Sequence, residues 1–175
     1  LRSVYVCRDV TNIGSDSSGI VVACHAKETK FQIGDYVVSR FDEPQPVGGL
    51  AEYRMVKTCL TEKCPSSISP VKACGLPASS QAAKILVRDY VKLGDRVLVI
   101  GGSGSVGTSV LQYAKLSGAS EVVAVSTQAD LCKSLGANRV INYRTQKWWE
   151  MEEYHKNKFD VVIDLVNGDS WIKGG

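Results

Sequence analysis

The stretch of this 175-residue sequence whose residue types point most directly to chemistry is a glycine-rich run, GGSGSVG, from Gly101 to Gly107. Within it, Gly102, Gly104 and Gly107 have the spacing G-x-G-x-x-G. In a dinucleotide site the first glycine permits a tight turn, the second lets the pyrophosphate approach the backbone, and the third lets a helix pack closely on a strand. The alternative is that the run is only a flexible connection. The predicted phosphate cradle consists of Gly102, Ser103, Gly104, Ser105, Val106 and Gly107.

A second position that bears on the chemistry is Ser126, which lies 19 residues after Gly107. In NAD-binding domains an Asp or Glu about 20 residues after the glycines binds the ribose 2′-hydroxyl. Here Ser126 and Thr127 occupy that region, and hydroxyls can donate hydrogen bonds to a 2′-phosphate that a carboxylate would repel. The pattern favours NADP (NADPH) as cofactor. The alternative is that Ser126 merely ends a strand. The candidate cations for such a phosphate are Lys133, Arg139 and Arg144.

The elements that must position these residues alternate between strand and helix. Arg96–Ile100 is a short apolar run rich in β-branched residues, typical of a strand buried in a parallel sheet. Apolar residues recur at helical spacing after the glycines, and Gly118 is the expected C-terminal cap. Further strands are predicted at Glu121–Ser126, Arg139–Tyr143 and Phe159–Val166, and helices near Asp130–Leu135 and Gln146–His155. Residues 94–175 therefore predict the first half of a Rossmann doubly wound parallel sheet.

The first third of the chain has a different pattern. Short strand-like runs are separated by turn signals, which is typical of a small β-barrel and predicts a β domain over residues 1–65. The predicted strands are Gly19–Ala23, Tyr36–Phe41 and Ala51–Val56. Residues 66–93 predict connecting helices, broken by Pro70 and Pro77. The overall fold class is α/β.

Composition and charge exclude several classes of function. The net charge is +3, and Lys and Arg are scattered among Asp and Glu, so nucleic acid is not an expected partner. No apolar run approaches the roughly 20 residues of a membrane span.

The six cysteines contain no C-x-x-C pair, which favours ordinary buried thiols in a reducing, intracellular compartment. A zinc site is the disfavoured alternative, because its potential ligands do not have zinc-site spacing. Those residues are Cys7, Cys24, His25, Cys59 and Cys64.

Several motifs in order along the chain resemble the medium-chain dehydrogenase/reductase superfamily, in its zinc-independent, quinone oxidoreductase-like branch. The resemblance covers nearly the whole chain and includes the glycine run. The other matching stretches are Gly14–Val22, Phe31–Val37, Gly48–Tyr53, Leu76-Pro77, Ser134–Ala137 and Ile141–Tyr143. The resemblance implies a partial GroES-like β-barrel followed by the incomplete Rossmann domain.

The resemblance also implies a chemistry. In this branch NADPH gives a hydride to a quinone or an activated alkene, and the protein binds, orients and polarises. Tyr143 matches the tyrosine that helps to hold the 2′-phosphate in the family. Ser15 stands where zinc-dependent relatives have a metal-binding histidine, so no zinc is expected.

Departures from the family keep a second function open. The loop after Ser126 lacks the lysine that relatives often carry, and Ala82 replaces a threonine near the nicotinamide. No catalytic acid or base can be named, since Tyr5 and Tyr53 are better explained by packing. The family's members are longer, which implies a fragment or a truncated relative. The alternative function is therefore a non-catalytic structural or interaction subunit, in a homo-oligomer or larger assembly.

Overall fold

The computed structural model describes residues 13–40 and 48–167, and the chain divides into two compact units between Ala78 and Ser79. This division lies inside the segment 66–93 that the sequence predicts to connect two domains. Tyr5, Cys7 and Phe41, the last residue of the second predicted strand, lie outside the described residues. Each unit has a sheet of its own.

The first unit contains a three-stranded antiparallel sheet in the order β1-β2-β3. Its predicted first and second strands are both present with shifted bounds, and its third strand is short and polar. The observed strands are β1 (Ser17–Ile20), β2 (Tyr36–Ser39) and β3 (Thr61–Lys63), with a 3₁₀ turn at Thr58–Leu60 before β3.

The strand predicted at Ala51–Val56 is wrong. Residues 51–53 form a bend and residues 54–57 have no regular structure. The backbone of this region pairs just before it, where the Leu50 N–H donates to the carbonyl of Ile13 at 3.0 Å. Tyr53 and Met55 are exposed, so the apolar alternation does not mark a buried face. β3 forms ten residues later because its backbone pairs with β2.

Two helices follow, and each begins at a proline. α1 spans Pro70–Ala73 and α2 spans Pro77–Tyr90. Proline suits the first helical position, because its missing N–H would have no intrahelical partner there. The Ala78 N–H, in the open first turn of α2, donates to the Asp16 carboxylate at 3.0 Å. The predicted breaks at the two prolines are therefore confirmed as helix starts.

The second unit is built on a four-stranded parallel sheet in the order β6-β5-β4-β7. The predicted alternation of strand and helix is confirmed. The strands are β4 (Arg96–Ile100), β5 (Glu121–Val125), β6 (Arg139–Ile141) and β7 (Val161–Asp164), and the helices are α3 (Ser105–Leu116), α4 (Ala129–Ser134) and α5 (Glu152–Lys156), with a 3₁₀ turn at Trp148–Glu150.

The position of β4 matters for function. The chain adds β5 and then β6 on one side of β4, and returns to place β7 on its other side. The sheet therefore changes its direction of growth at β4. In open α/β sheets, ligands bind at the carboxyl ends of the strands at such a switch point.

Both faces of this parallel sheet are covered, which explains why β4 and β5 are apolar and buried after their first residues, Arg96 and Glu121. Val97 and Val99 pack with residues of α2 and α3 on one face. Leu98 and Ile100 pack on the other face with the buried Trp148. Trp148 thus belongs to the core of the second unit.

Candidate functional site

The glycine run leaves the carboxyl end of β4 at the switch point and leads into α3. The N–H groups of Gly101 and Gly102 both donate to the carbonyl of Val125, at 3.1 and 3.3 Å. The Gly104 N–H donates to the Gly101 carbonyl at 3.0 Å. The run is therefore a hydrogen-bonded turn tied to the end of β5 and not a loose connection.

The structure corrects the role assigned to the first glycine of the motif. The residue in the left-handed region is Gly101, with φ at 84°, and Gly102 has no positive φ. Gly102 is required for a different reason, since a Cβ there would lie 2.9 Å from the Cβ of Ala124 in β5. The tight turn is made one residue earlier, and Gly102 provides close packing.

The third glycine has the role that the motif predicts. A Cβ on Gly107 would lie 2.2 Å from the Gly101 carbonyl oxygen and 2.9 Å from the Gly102 backbone. Only a residue without a side chain lets α3 begin this close to the end of β4. Gly107 is buried in that contact.

The start of α3 presents backbone donors to the outside. Gly104 is the exposed N-cap residue, and no side chain caps the helix. The first amide of α3 with an intrahelical bond is that of Thr108, which donates to the Gly104 carbonyl at 2.9 Å. The N–H groups of Ser105, Val106 and Gly107 precede it, and the first turn holds no acidic residue. This positive end of the helix dipole is suited to an anion.

Ser126 does more than end a strand. It is buried, with 3% of its surface exposed, and its Oγ donates to the Oγ of Ser103 at 2.7 Å. The same Oγ accepts the N–H of Gln128 at 3.0 Å. The Ser126 N–H donates to the carbonyl of Ile141 at the end of β6. Ser126 thus connects the glycine run and the loop after β5 through its hydroxyl, and the end of β6 through its backbone N–H.

Cys132, on α4, lies beneath this hydroxyl pair. Its side chain is fully buried, and its Sγ is 3.6 Å from where a Cβ on Gly102 would be. Burial raises the pKa of the thiol, and a hydrogen bond with Ser126 partly opposes that rise. The thiol therefore stays protonated as part of the core under the turn.

Tyr143 and Arg144 lie in a turn directly after β6, at the carboxyl edge of the same sheet. The Asn142 side chain accepts the Arg144 N–H at 3.0 Å and shapes the turn. Both Tyr143 and Arg144 are exposed. Within residues 13–40 and 48–167, no salt bridge engages the Arg144 guanidinium.

The other two candidate cations are placed differently. Arg139 forms a salt bridge with Glu153 at 2.6 Å, which raises the pKa of its guanidinium, and it lies over the ring of Tyr154. Lys133 is in the last turn of α4, whose first turn follows the end of β5. Thr127 is half-buried beside Ser126. Arg144 is therefore the candidate cation at the carboxyl edge.

The residues considered for a metal site are not brought together where they are described. The prediction of buried thiols is wrong for Cys24, Cys59 and Cys74, which are exposed. Among the described cysteines, Cys64 is half-buried and Cys132 is buried, and all of them carry free thiols. In the described part of the chain, no three His, Cys, Asp or Glu side chains form a group that could hold a metal ion. No described helix is long and apolar enough to span a bilayer.

Sequence reasoning missed the pairing of Ser103 with Ser126 and the turn at Gly101. The sequence predicts a site role for Ser103 and for Ser126 separately. The two serines are 23 positions apart, and only the pairing of β4 with β5 brings them together. The doubled glycine at Gly101-Gly102 was the available signal for the earlier turn.

The chain is similar in sequence to known dehydrogenases and reductases. The pattern of the family described as "Zinc-binding dehydrogenase" matches residues 105–173. The chain is 35% identical over 170 residues to a 2-methylene-furan-3-one reductase from Solanum lycopersicum, covering 91% of this chain and 43% of the relative. It is 34% identical to a chloroplastic NADPH-dependent alkenal/one oxidoreductase from Arabidopsis thaliana, covering 87% of this chain and 41% of the relative.

The fold has a counterpart among solved structures. The quinone oxidoreductase of Escherichia coli, solved in complex with NADPH, superimposes with a TM-score of 0.82 at 25% identity, over 97% of this chain and 53% of that one. The chain thus spans about half the length, or somewhat less, of the proteins that it matches.

Proposed function

We propose that this chain, which belongs to the medium-chain dehydrogenase/reductase superfamily in its quinone oxidoreductase-like branch, carries the NADPH-binding part of an oxidoreductase. The reaction is transfer of a hydride to a quinone or an activated alkene. The names of the relatives, an alkenal/one oxidoreductase and a quinone oxidoreductase, support this substrate class.

One observation carries the proposal. A hydrogen-bonded glycine turn lies at the switch point of a parallel sheet and opens into a helix with an uncapped first turn. At Gly104, the exposed position, there is no side chain between the backbone and an approaching anion. The amides of Ser105, Val106 and Gly107 would hold the pyrophosphate.

The end of β5 supports NADPH over NADH. Ser126, Thr127 and Gln128 follow the strand, so no carboxylate stands there to repel a 2′-phosphate. Arg144 brings a positive charge to the same edge, and Tyr143 adjoins it with a phenolic donor. We assign the 2′-phosphate to this corner.

The bound cofactor supplies the hydride, and this chain's residues bind and orient it. The acceptor would be reduced by that hydride and a proton. Zinc has no part in the proposal, because Ser15 stands where zinc-dependent relatives have histidine, and a serine hydroxyl is not an ordinary zinc ligand.

The location and assembly of the protein are part of the proposal as well. All five cysteines in the described residues carry free thiols, which supports a reducing intracellular compartment, cytoplasmic or mitochondrial. A relative is chloroplastic by name, so an organelle is compatible with the family. Assembly into a homo-oligomer stays a prediction.

The test is turnover by the full-length protein. Oxidation of NADPH should be followed with a quinone, an α,β-unsaturated ketone and an α,β-unsaturated aldehyde as separate acceptors. We expect steady oxidation that depends on the acceptor and is slower with NADH. NADPH binding without turnover on any acceptor would favour the alternative, a non-catalytic subunit of a larger assembly.

A further inference from the structure

We propose that the Ser103 hydroxyl donates a hydrogen bond to the ribose 2′-phosphate of NADPH, and that Ser126 is a positioning residue that fixes Ser103 as the donor. This inference rests on the proposed function, since it requires that the glycine turn bind a dinucleotide. It adds a selectivity residue inside the turn, where the motif itself specifies only glycines.

Counting protons in the hydroxyl pair gives the direction of donation. A serine hydroxyl has one proton to donate and two lone pairs to accept with. With the Cys132 thiol protonated, Ser126 gives its proton to the Ser103 Oγ at 2.7 Å and accepts the Gln128 N–H at 3.0 Å. Ser103 therefore already accepts one hydrogen bond and keeps its own proton. Within the described residues, no acceptor takes that proton.

The burial of Ser126 fixes it as the donor and Ser103 as the acceptor within the pair. Ser126 is enclosed between the glycine turn, the end of β6 and Cys132, and 3% of it is exposed. Ser103 is half-exposed and lies next to the exposed Gly104. The remaining proton of the pair can therefore be offered to a ligand at the surface of the turn, and to nothing beneath it.

The position of the pair selects the 2′-substituent of the ribose. In dinucleotide-binding sheets, the residue at the end of the second strand is the one that meets this substituent. Ser126 occupies that position but faces inward to Ser103, so Ser103 provides the outward group. A phosphate only accepts hydrogen bonds and carries charge, and such bonds are about twice as strong as neutral ones. The 2′-hydroxyl of the NADH ribose is uncharged, so a hydrogen bond from Ser103 stabilises NADH binding less than NADPH binding.

The pair is preorganised by the backbone on both sides. The Val125 carbonyl accepts two N–H groups from the glycine turn, and the Ser126 N–H donates to β6. Ser103 and Ser126 directly follow these anchored positions in their segments. Binding then requires little new ordering of the chain, which favours affinity.

The experiment is a double-mutant cycle on the full-length protein, with Ser103→Ala, Ser126→Ala and the double variant. Dissociation constants for NADPH and for NADH are measured by fluorescence titration, and thermal unfolding is followed in parallel. Ser134→Ala is the matched control, because its hydroxyl is exposed on α4 and bonds only to the Leu131 carbonyl.

We expect Ser103→Ala to weaken NADPH binding roughly tenfold, the size of one hydrogen bond to a charged group. NADH binding should change less than about threefold, and Ser134→Ala should change neither. Ser126→Ala should weaken NADPH binding in the wild-type background and have no further effect in the Ser103→Ala background, because its influence passes through Ser103. A merely structural role of Ser126 would leave its cost the same in both backgrounds.

The opposing outcomes are distinct. If the wild-type protein prefers NADPH but Ser103→Ala keeps that preference, the inference is overturned and the proposed function stands. If Ser103→Ala weakens NADPH and NADH equally, the hydroxyl does not read the 2′-phosphate, and the assignment is wrong. If the wild-type protein binds neither nucleotide, the proposed function itself fails.

Discussion

A Cβ atom on Gly107 would lie 2.2 Å from the carbonyl oxygen of Gly101. Gly101 directly follows β4 and Gly107 lies in the first turn of α3, so the strand end and the helix start contact each other through these two residues. The atoms that a Cβ on Gly107 would meet are backbone atoms, which cannot move aside as a flexible side chain can. The close approach brings the uncapped amides of α3 over the carboxyl end of β4. The geometry of the proposed phosphate cradle therefore depends on the absence of a side chain at Gly107.

Gly107→Ala should destabilise the protein and abolish nucleotide binding. The added methyl overlaps backbone atoms, and overpacking of this kind costs about 1–3 kcal/mol in the free energy of unfolding. Urea unfolding followed by circular dichroism measures the loss. Gly19→Ala is the control, since a Cβ there meets nothing within 4 Å. Wild-type stability and NADPH affinity in Gly107→Ala would contradict the described contact.

Gly101→Ala should separate backbone strain from the function of the turn. Gly101 has φ at 84° and Gly94 has φ at 88°, so alanine costs about 1–2 kcal/mol at either position. A Cβ on Gly94 meets nothing within 4 Å, which makes Gly94→Ala a matched control for the strain alone. A Cβ on Gly101 would also lie 2.9 Å from the Cγ2 of Val166, so Gly101→Ala should lose at least as much stability in urea as Gly94→Ala. Only Gly101→Ala should weaken NADPH binding. Equal nucleotide affinities in the two variants would mean that the turn does not bind phosphate.

Arg144→Gln should reduce the preference for NADPH over NADH by roughly three- to tenfold, because it removes an exposed positive charge from the 2′-phosphate corner. The wild-type preference should also fall as salt rises, since exposed charges are screened. Lys147→Gln is the control, because Lys147 is exposed and already paired with Glu150. Titrations at low and high salt give both values. A preference that neither Arg144→Gln nor salt alters would remove Arg144 from the site.

Cys132 should resist alkylation in the native protein, whereas Cys24, Cys59 and Cys74 react. Burial raises the pKa of the Cys132 thiol, and the reagent needs an accessible thiolate. Timed labelling with iodoacetamide, read by mass spectrometry, gives the order of reaction. Rapid native labelling of Cys132 would contradict its placement beneath the turn.

The raised pKa of the Cys132 thiol also makes the free energy of unfolding depend on pH. The unfolded thiol loses its proton above its ordinary pKa of about 8.5, while the folded one retains it. The Cys132 contribution is therefore present below that pH and declines above it. In Cys132→Ala the fall in the urea midpoint above about pH 8.5 should be smaller than in the wild type, and an equal fall would show that Cys132 does not contribute to it.

The second unit was predictable from the sequence because its signals are local. The bounds of β4, Arg96–Ile100, are those that the apolar run predicts, and Gly118 caps the end of α3 with φ at 81°. Because both faces of β4 are buried, nearly all of its residues are apolar, and the apolar run is easy to identify in the sequence. The glycine spacing likewise located the turn without any knowledge of the rest of the chain.

The first unit was less predictable because its strands depend on their partners. Ala51–Val56 alternates apolar and polar residues but pairs with no described strand, whereas the polar Thr61–Lys63 becomes a strand by pairing with β2. The hydroxyl pair at the site has the same origin. No local signal joins Ser103 to Ser126, because their contact exists only once β4 and β5 are side by side.

The most direct test of the proposed function is a fluorescence titration of the full-length protein with NADPH and, separately, with NADH. We predict saturable binding of NADPH that is at least about tenfold tighter than that of NADH, a difference of about 1.4 kcal/mol. That result would support the proposed NADPH site at the glycine turn, and the variants of Ser103, Ser126 and Arg144 then test the role of each residue. Equal affinities would contradict the cofactor choice, and no binding of either nucleotide would contradict the proposed function as a whole.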